Sequence, residues 1–186
     1  MFMFDVETLD IESTAVILSA ALLKFTPDDD YESLVDKCLF VKFNSKDQIQ
    51  RFHRTVGKST LEWWSNQHPH VRKSSFDPTP ADVTAEEGIE QMHDYIAEHG
   101  GREQLIWARG SLDQMVIDSL CHKVDLEPLM RYNYWRDVRT AVDCLTGSTN
   151  GYCKVDHPTF ESHQVIKHHP VHDCALDAMQ LMFGKS

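Results

Sequence analysis

Apolar and polar residues alternate from the first positions of the chain: Phe2, Phe4 and Val6 fall on one parity, and Met3, Asp5 and Glu7 on the other. A period of two is that of a strand, which predicts β-structure over residues 2 to 7. Ala15 to Phe25 is largely apolar with β-branched members, and Cys38 to Phe43 repeats that character beyond a turn-rich stretch. Three successive strands in a meander are therefore expected. The period then changes. Asn44 or Ser45 is placed to cap a short helix reaching about Phe52, and Ser59 stands three residues ahead of Glu62, a capping-box spacing for a helix that carries Trp63 and Trp64. Residues 68 to 80, rich in Pro, Ser and His, read as a loop excursion.

Helical spacing returns with Ile89, Met92 and Ile96, predicting a helix over about 82–99 closed by Gly100-Gly101. Leu105 to Ala108 reads as a short strand. Leu112, Met115, Val116 and Leu120 mark a helix across 110–123, and residues 137–145 form another. Residues 146–170 carry no period. Leu176, Met179 and Phe183 share a stripe of a last helix over 173–183, with Asp173 as its N-cap. Strands followed by helices around a further strand predict an α/β fold, a mixed sheet covered by helices, in one domain spanning 1–186.

Composition narrows the class. Of 186 residues, 41% are hydrophobic and 25% charged, a mix that forms a packed core rather than a disordered chain. The longest apolar window, Ala15 to Leu23, ends at Lys24, short of the roughly 18 to 20 residues a membrane span needs. The start lacks the pattern of a secretory leader, and five Cys form no CxxC pair, so a reducing, cytoplasmic setting is expected. With 18 Lys and Arg against 29 Asp and Glu, the net charge of −11 excludes a protein that holds duplex nucleic acid by general attraction. It leaves room for an enzyme whose bound metal ions meet the phosphates.

The candidate chemistry is acidic. Asp5 and Glu7, two apart on a strand, share a face with Cα atoms about 6 to 7 Å apart. Either they are solvated at the strand end, or they are buried and need a cation. Asp113 stands one turn into a helix after a short strand, where it can serve the helix dipole or point back over the strand ends. His172 and Asp177 bracket the start of the last helix, one just ahead of it and one inside it.

Asp5-x-Glu7, Asp113, and His172 with four residues before Asp177 together resemble the DEDDh exonucleases, the histidine-bearing class with a ribonuclease H-like fold. Thr60-Leu61-x-Trp63-Trp64, Trp107-Ala108-x-Gly110-Ser111-x-Asp113 and Arg136-Asp137-Val138-Arg139-Thr140 look like signatures of the branch that contains exonuclease VIII and the T-even-like phage exodeoxyribonucleases. Ala20-Ala21 stands where relatives commonly carry Gly, and Leu112 where an aromatic is usual.

The resemblance implies a three-stranded antiparallel meander joined to parallel strands, and a 3′ to 5′ exonuclease acting on a nucleic acid 3′ end. It implies two divalent ions, Mg²⁺ or Mn²⁺, held by Asp5, Glu7, Asp113 and Asp177, with His172 as the base that takes a proton from water. Thr8 and Leu9 are implied to hold the terminal nucleotide. Trp64 is the candidate for stacking a base, since base–aromatic stacking tolerates sequence. The alternative is a core position, because a Trp in an amphipathic helix commonly packs inward and adjacent Trp63 and Trp64 cannot both face one way. Arg139 either contacts phosphate or pairs with an acid. DNA is favoured over RNA, with a monomer or homodimer and no membrane partner.

Two rivals remain. His157, His163, His168, His169, His172, Cys153 and Cys174 crowd the last third, but the paired-ligand spacing of structural zinc is missing, and His168 and His169 read as a solvated loop. A ribonuclease H-like module that binds strands without cutting leaves the acids in register unexplained, because unneutralised acids repel phosphate.

Overall fold

The computed structural model describes residues 1 to 185. Strands β1 (Phe2–Thr8), β2 (Ile17–Lys24), β3 (Leu39–Lys42), β4 (Ile106–Ala108) and β5 (Trp135–Asp137) form a sheet in the order β3-β2-β1-β4-β5. The first three pair antiparallel, and β4 and β5 continue the sheet in parallel from β1. This is the expected mixed sheet, compatible with a ribonuclease H-like fold.

Both faces of the sheet are covered. Phe2, Phe4 and Val6 pack with Ala20 and Leu22 against Ile89, Met92 and Ile96 of one helix and Val116, Ile117 and Leu120 of another. These helices, residues Ala85–Glu98 and Leu112–Lys123, are α5 and α6 of the eight in the described chain, the others being α1 (Tyr31–Asp36), α2 (Ser45–Phe52), α3 (Lys58–Ser65), α4 (Pro69–Val71), α7 (Val138–Thr146) and α8 (Pro170–Phe183). On the opposite face Met3, Ala21 and Leu23 meet Val138 and Val142 of α7 and Cys174, Ala175, Ala178 and Met179 of α8. Ala20 and Ala21 are fully buried, one on each face. The alternation along β1 thus separates two cores, and Asp5 and Glu7 continue the face that looks at α8.

Several elements depart from the sequence pattern for local reasons. The helix expected from residue 82 starts at Ala85, because the Thr84 side chain accepts from the Glu87 N–H while the Glu87 carboxylate accepts from the Thr84 N–H at 2.9 Å. At Gly88 a Cβ would lie 2.2 Å from the Phe43 ring, so only glycine lets α5 sit directly on it. Ser59 and Glu62 do not form a capping box: Gly57 occupies the cap of α3 without a side-chain bond. The expected loop over 68–80 contains α4 and a wide turn at Arg72–Phe76, which brings Ser75 to a buried hydrogen bond with Ser19 at 2.9 Å. Helix α1 and the three-residue β5 carry too few residues to show a period. The last helix begins three residues early, with Pro170 in its first turn and His169 at the cap, so Asp173 is a helical residue and not the N-cap. Beyond it β7 (Gly184–Lys185) pairs with β6 (Lys154–Val155). No helix of the described residues is long and apolar enough to cross a membrane.

Two buried polar side chains beside the first core are matched internally. Gln48 exchanges two hydrogen bonds with the Ile17 backbone, at 2.9 and 2.6 Å, standing in for a strand neighbour. Arg54, 5% exposed, donates to the carbonyls of Ala15, Ser13 and Val116 and to the Ser119 hydroxyl.

Candidate active site

The acidic residues arrive at one place from three elements. Asp5 and Glu7 project from the end of β1, where the pairing with β2 shifts between Glu7 and Thr8. Asp113 lies in the first turn of α6, aimed by the tight connection from β4 in which Gly110 adopts φ 88°. That connection is pinned by Asp137, whose Oδ1 accepts the Gly110 N–H at 2.9 Å while its carboxylate also caps α7 by accepting from the N–H groups of Arg139 and Thr140. The motif from Arg136 to Thr140 is therefore a brace for the Asp113 turn. Asp173 and Asp177, one turn apart on α8, complete the set.

Asp5, Glu7, Asp113, Asp173 and Asp177 line one cavity of about 510 Å³, together with Arg109, Leu112, Arg139, Tyr152, Lys167 and His168. Asp113 and Asp177 are 8% and 5% exposed. Crowding and burial make the charged forms costly. The Asp5 carboxyl is held well above its ordinary range by desolvation and by the charges of Asp113 and Glu7. Glu7 is raised by desolvation, then by Asp173 and Asp113. Asp113 is pushed up to about 8 and Asp173 to about 7, each chiefly by burial and then by Asp177.

One cation answers this charge directly. Arg109 holds Asp177 in a fork, with Nε donating at 3.0 Å to both oxygens and Nη2 at 2.6 Å to Oδ1, and it also donates to Gln180 Oε1 at 2.6 Å and Gly151 O at 2.5 Å. Its guanidinium lies 4.2 Å from the centre of the Tyr152 ring. Among the described residues, Arg139 and Lys167 at the rim make no ion pair within 4 Å, so the phosphate alternative for Arg139 is open and the acid-pairing one is not realised.

The histidines divide differently from the sequence expectation. His172, in the first turn of α8, is half-buried, and its Nδ1 lies 2.8 Å from the Tyr31 hydroxyl; it is not among the residues lining the cavity. His168 lines it from the exposed turn ahead of α8, at a left-handed φ of 61°, as a solvated loop predicts, whereas His169 is half-buried and stacked on Phe40. One ligand atom each from Glu7, His168 and Asp173 lie within 4.8 Å of one another. The four-residue gap between His172 and Asp177 thus recurs between His168 and Asp173, one helical turn earlier. That repetition was the available signal for two residues the motif reading passed over, and Arg109, inside the Trp107-to-Asp113 motif, was a third.

Three residues expected to contact substrate lie outside the lining of the cavity. Trp64 is 1% exposed, stacked on Phe76 at 5.8 Å and 3°, and its indole N–H donates to Thr8 O at 2.9 Å. It anchors α3 to the end of β1 and has no free face for a base. Leu9 is 5% exposed in the same small core, with its N–H donated to Val16 O and its carbonyl accepting from Gly57 N. Thr8 donates its hydroxyl to Asp10 O at 2.7 Å and lies outside the cavity lining.

The donor set suits a divalent metal. Carboxylate oxygens are hard ligands, the imidazole of His168 adds a nitrogen, and one guanidinium engages only one of five carboxyls, leaving negative charge that a cation would neutralise.

A mixed five-stranded sheet with carboxyls gathered from β1, α6 and α8 at one end defines a class of protein, the DEDDh-type exonucleases. The model of the Rv2179c-like 3′-5′ exoribonuclease domain matches residues 1–182, and the chain belongs to that family. It is also similar to an exodeoxyribonuclease of Enterobacteria phage T4, 29% identical over 205 residues that cover 98% of this chain and 88% of the relative.

Proposed function

We propose that the protein is a metal-dependent 3′ to 5′ exonuclease that removes 5′-mononucleotides from DNA ends, preferring unpaired ones. The observation that carries this is the convergence of Asp5, Glu7, Asp113 and Asp177 on one cavity with raised proton affinities. These four carboxylates are the proposed holders of two ions, Mg²⁺ or Mn²⁺, with Asp5 central because the charges of each of the other three act on its carboxyl. Bound there, the ions supply Lewis-acid activation of water and stabilise the departing 3′ oxygen.

The remaining steps fall to the chain itself. Arg139 and Lys167 at the rim meet the phosphate of the terminal nucleotide. An imidazole takes the proton of the attacking water. The spacing to Asp177 assigns that role to His172, whose Nδ1 is fixed by Tyr31 so that Nε2 remains for chemistry. The lining of the cavity favours a second reading, in which His168 is the acceptor. His172→Ala and His168→Ala separate them: the base variant loses most of its rate while still binding Mn²⁺, and a loss of Mn²⁺ affinity in His168→Ala marks that imidazole as a ligand instead of the base.

The similarity to the phage T4 exodeoxyribonuclease supports DNA, and the exoribonuclease description of the family supports RNA as the alternative substrate. Unpaired ends are favoured because a terminal base must leave the stack to enter a recessed cavity. Digestion of 3′-hydroxyl DNA and RNA strands side by side, with chelator, Mg²⁺ or Mn²⁺, tests the reading. Metal-dependent release of mononucleotides, faster from DNA, is expected. Trimming that persists in chelator, or an intact strand in every condition, contradicts it.

A further inference from the structure

A second cavity, of about 470 Å³, adjoins the acidic one and shares Lys167 and His168 with it. The rest of its lining includes Gln67, His68 and His70, with Val71 and Ile166 at the floor. No carboxylate lines it, although the chain as a whole carries −11. Trp63, 39% exposed, stands beside it with its ring edge-on to His168 at 4.8 Å, and Gln67 ties the same turn by donating to Trp63 O at 3.1 Å. The tandem tryptophans of α3 are thus split: Trp64 turns inward as an anchor, and Trp63 is partly exposed against His168 at the edge of the groove.

The geometry points to this groove as the track for the unpaired strand on the 5′ side of the nucleotide being removed, with Trp63 as its stacking platform. This rests on the exonuclease reading above. A strand whose 3′ end lies among five carboxyls must leave through a wall that does not repel phosphate, and the groove is lined by an ammonium and three imidazoles with the Trp63 indole beside it. Stacking on an aromatic face tolerates any base, as trimming of arbitrary sequence requires. The shared Lys167 and His168 make the groove continuous with the chemistry.

The test measures binding in chelator, where no cleavage occurs, by fluorescence anisotropy of 3′-hydroxyl strands of two and of about ten unpaired nucleotides. The wild-type protein is expected to hold the longer strand more tightly. Trp63→Ala should reduce that gain about 5- to 150-fold, and Trp63→Phe should restore most of it. Lys167→Gln should flatten the slope of log affinity against log salt by about one. Thermal melting at the wild-type temperature shows that the variants are folded, as substitution at exposed positions predicts. A wild-type length gain that Trp63→Ala leaves unchanged, in a protein that still trims strands, overturns the groove alone. A wild-type protein that neither binds nor trims strands overturns the exonuclease reading with it.

Discussion

Two places in the molecule bury charge, and they treat it in opposite ways. Around Arg54 a single guanidinium is enclosed by three backbone carbonyls and a serine hydroxyl, so its hydrogen bonds are met by the protein itself. At the end of β1 five carboxyls face one cavity, and only Asp177 is clamped by a cation. Burial lowers the proton affinity of Arg54 to about 10 and raises that of Asp113 to about 8. The first arrangement is complete as folded, and its chemistry is structural. The second is left open toward a cation, which marks it as a site for work rather than for stability.

The contrast can be broken from either side. Asp5→Asn should reduce trimming by about three orders of magnitude or more, since it replaces a charged carboxylate ligand by a neutral amide, while the melting temperature of the metal-free protein holds or rises because the amide has no charge to desolvate. Activity assayed beside calorimetric melting reads both effects. Arg54→Met should do the reverse, costing about 3 kcal/mol of stability by orphaning buried carbonyls while leaving Mn²⁺ affinity unchanged at permissive temperature. Denaturant unfolding with metal titration checks it.

pH sharpens the comparison further. Asp113 and Asp173, raised to about 8 and 7, bind protons more tightly folded than unfolded. Their contribution to stability is therefore fully present below the ordinary carboxyl range and is lost as pH rises through 7 to 8. The metal-free protein should melt at lower temperature at pH 8.5 than at pH 5.5, and saturating Mg²⁺ should flatten the trend. The smallest effect belongs to Trp64→Phe, which keeps the stack on Phe76 but strands the Thr8 carbonyl. Equilibrium unfolding should show a loss of about 1 to 2 kcal/mol.

Much of this was legible in the chain. The period of two in Phe2, Phe4 and Val6 placed β1 and set Asp5 and Glu7 on a shared face, and the helical stripes placed α5, α6 and α8 to within a few residues. What was not legible depends on tertiary position. Tandem Trp63 and Trp64 look alike in sequence, and only the packing of α3 on β1 decides which is buried. The doubled spacing of His168 to Asp173 and His172 to Asp177 names two pairs, and the choice between them needs the start of α8, which Pro170 moved forward. Arg109 had no period to reveal it, since its role is set by a fork to a residue 68 positions away.

The carboxyls at the end of β1 are, on this proposal, held for divalent ions. Calorimetric titration of Mn²⁺ into chelator-stripped protein in weakly buffered solution near pH 7 tests it most directly, because ion binding must displace the protons those acids retain. Saturable uptake with proton release is expected, both largely lost in Asp5→Asn. A folded protein that takes up no ion, or binds Mn²⁺ equally well without Asp5 and releases no protons, contradicts it.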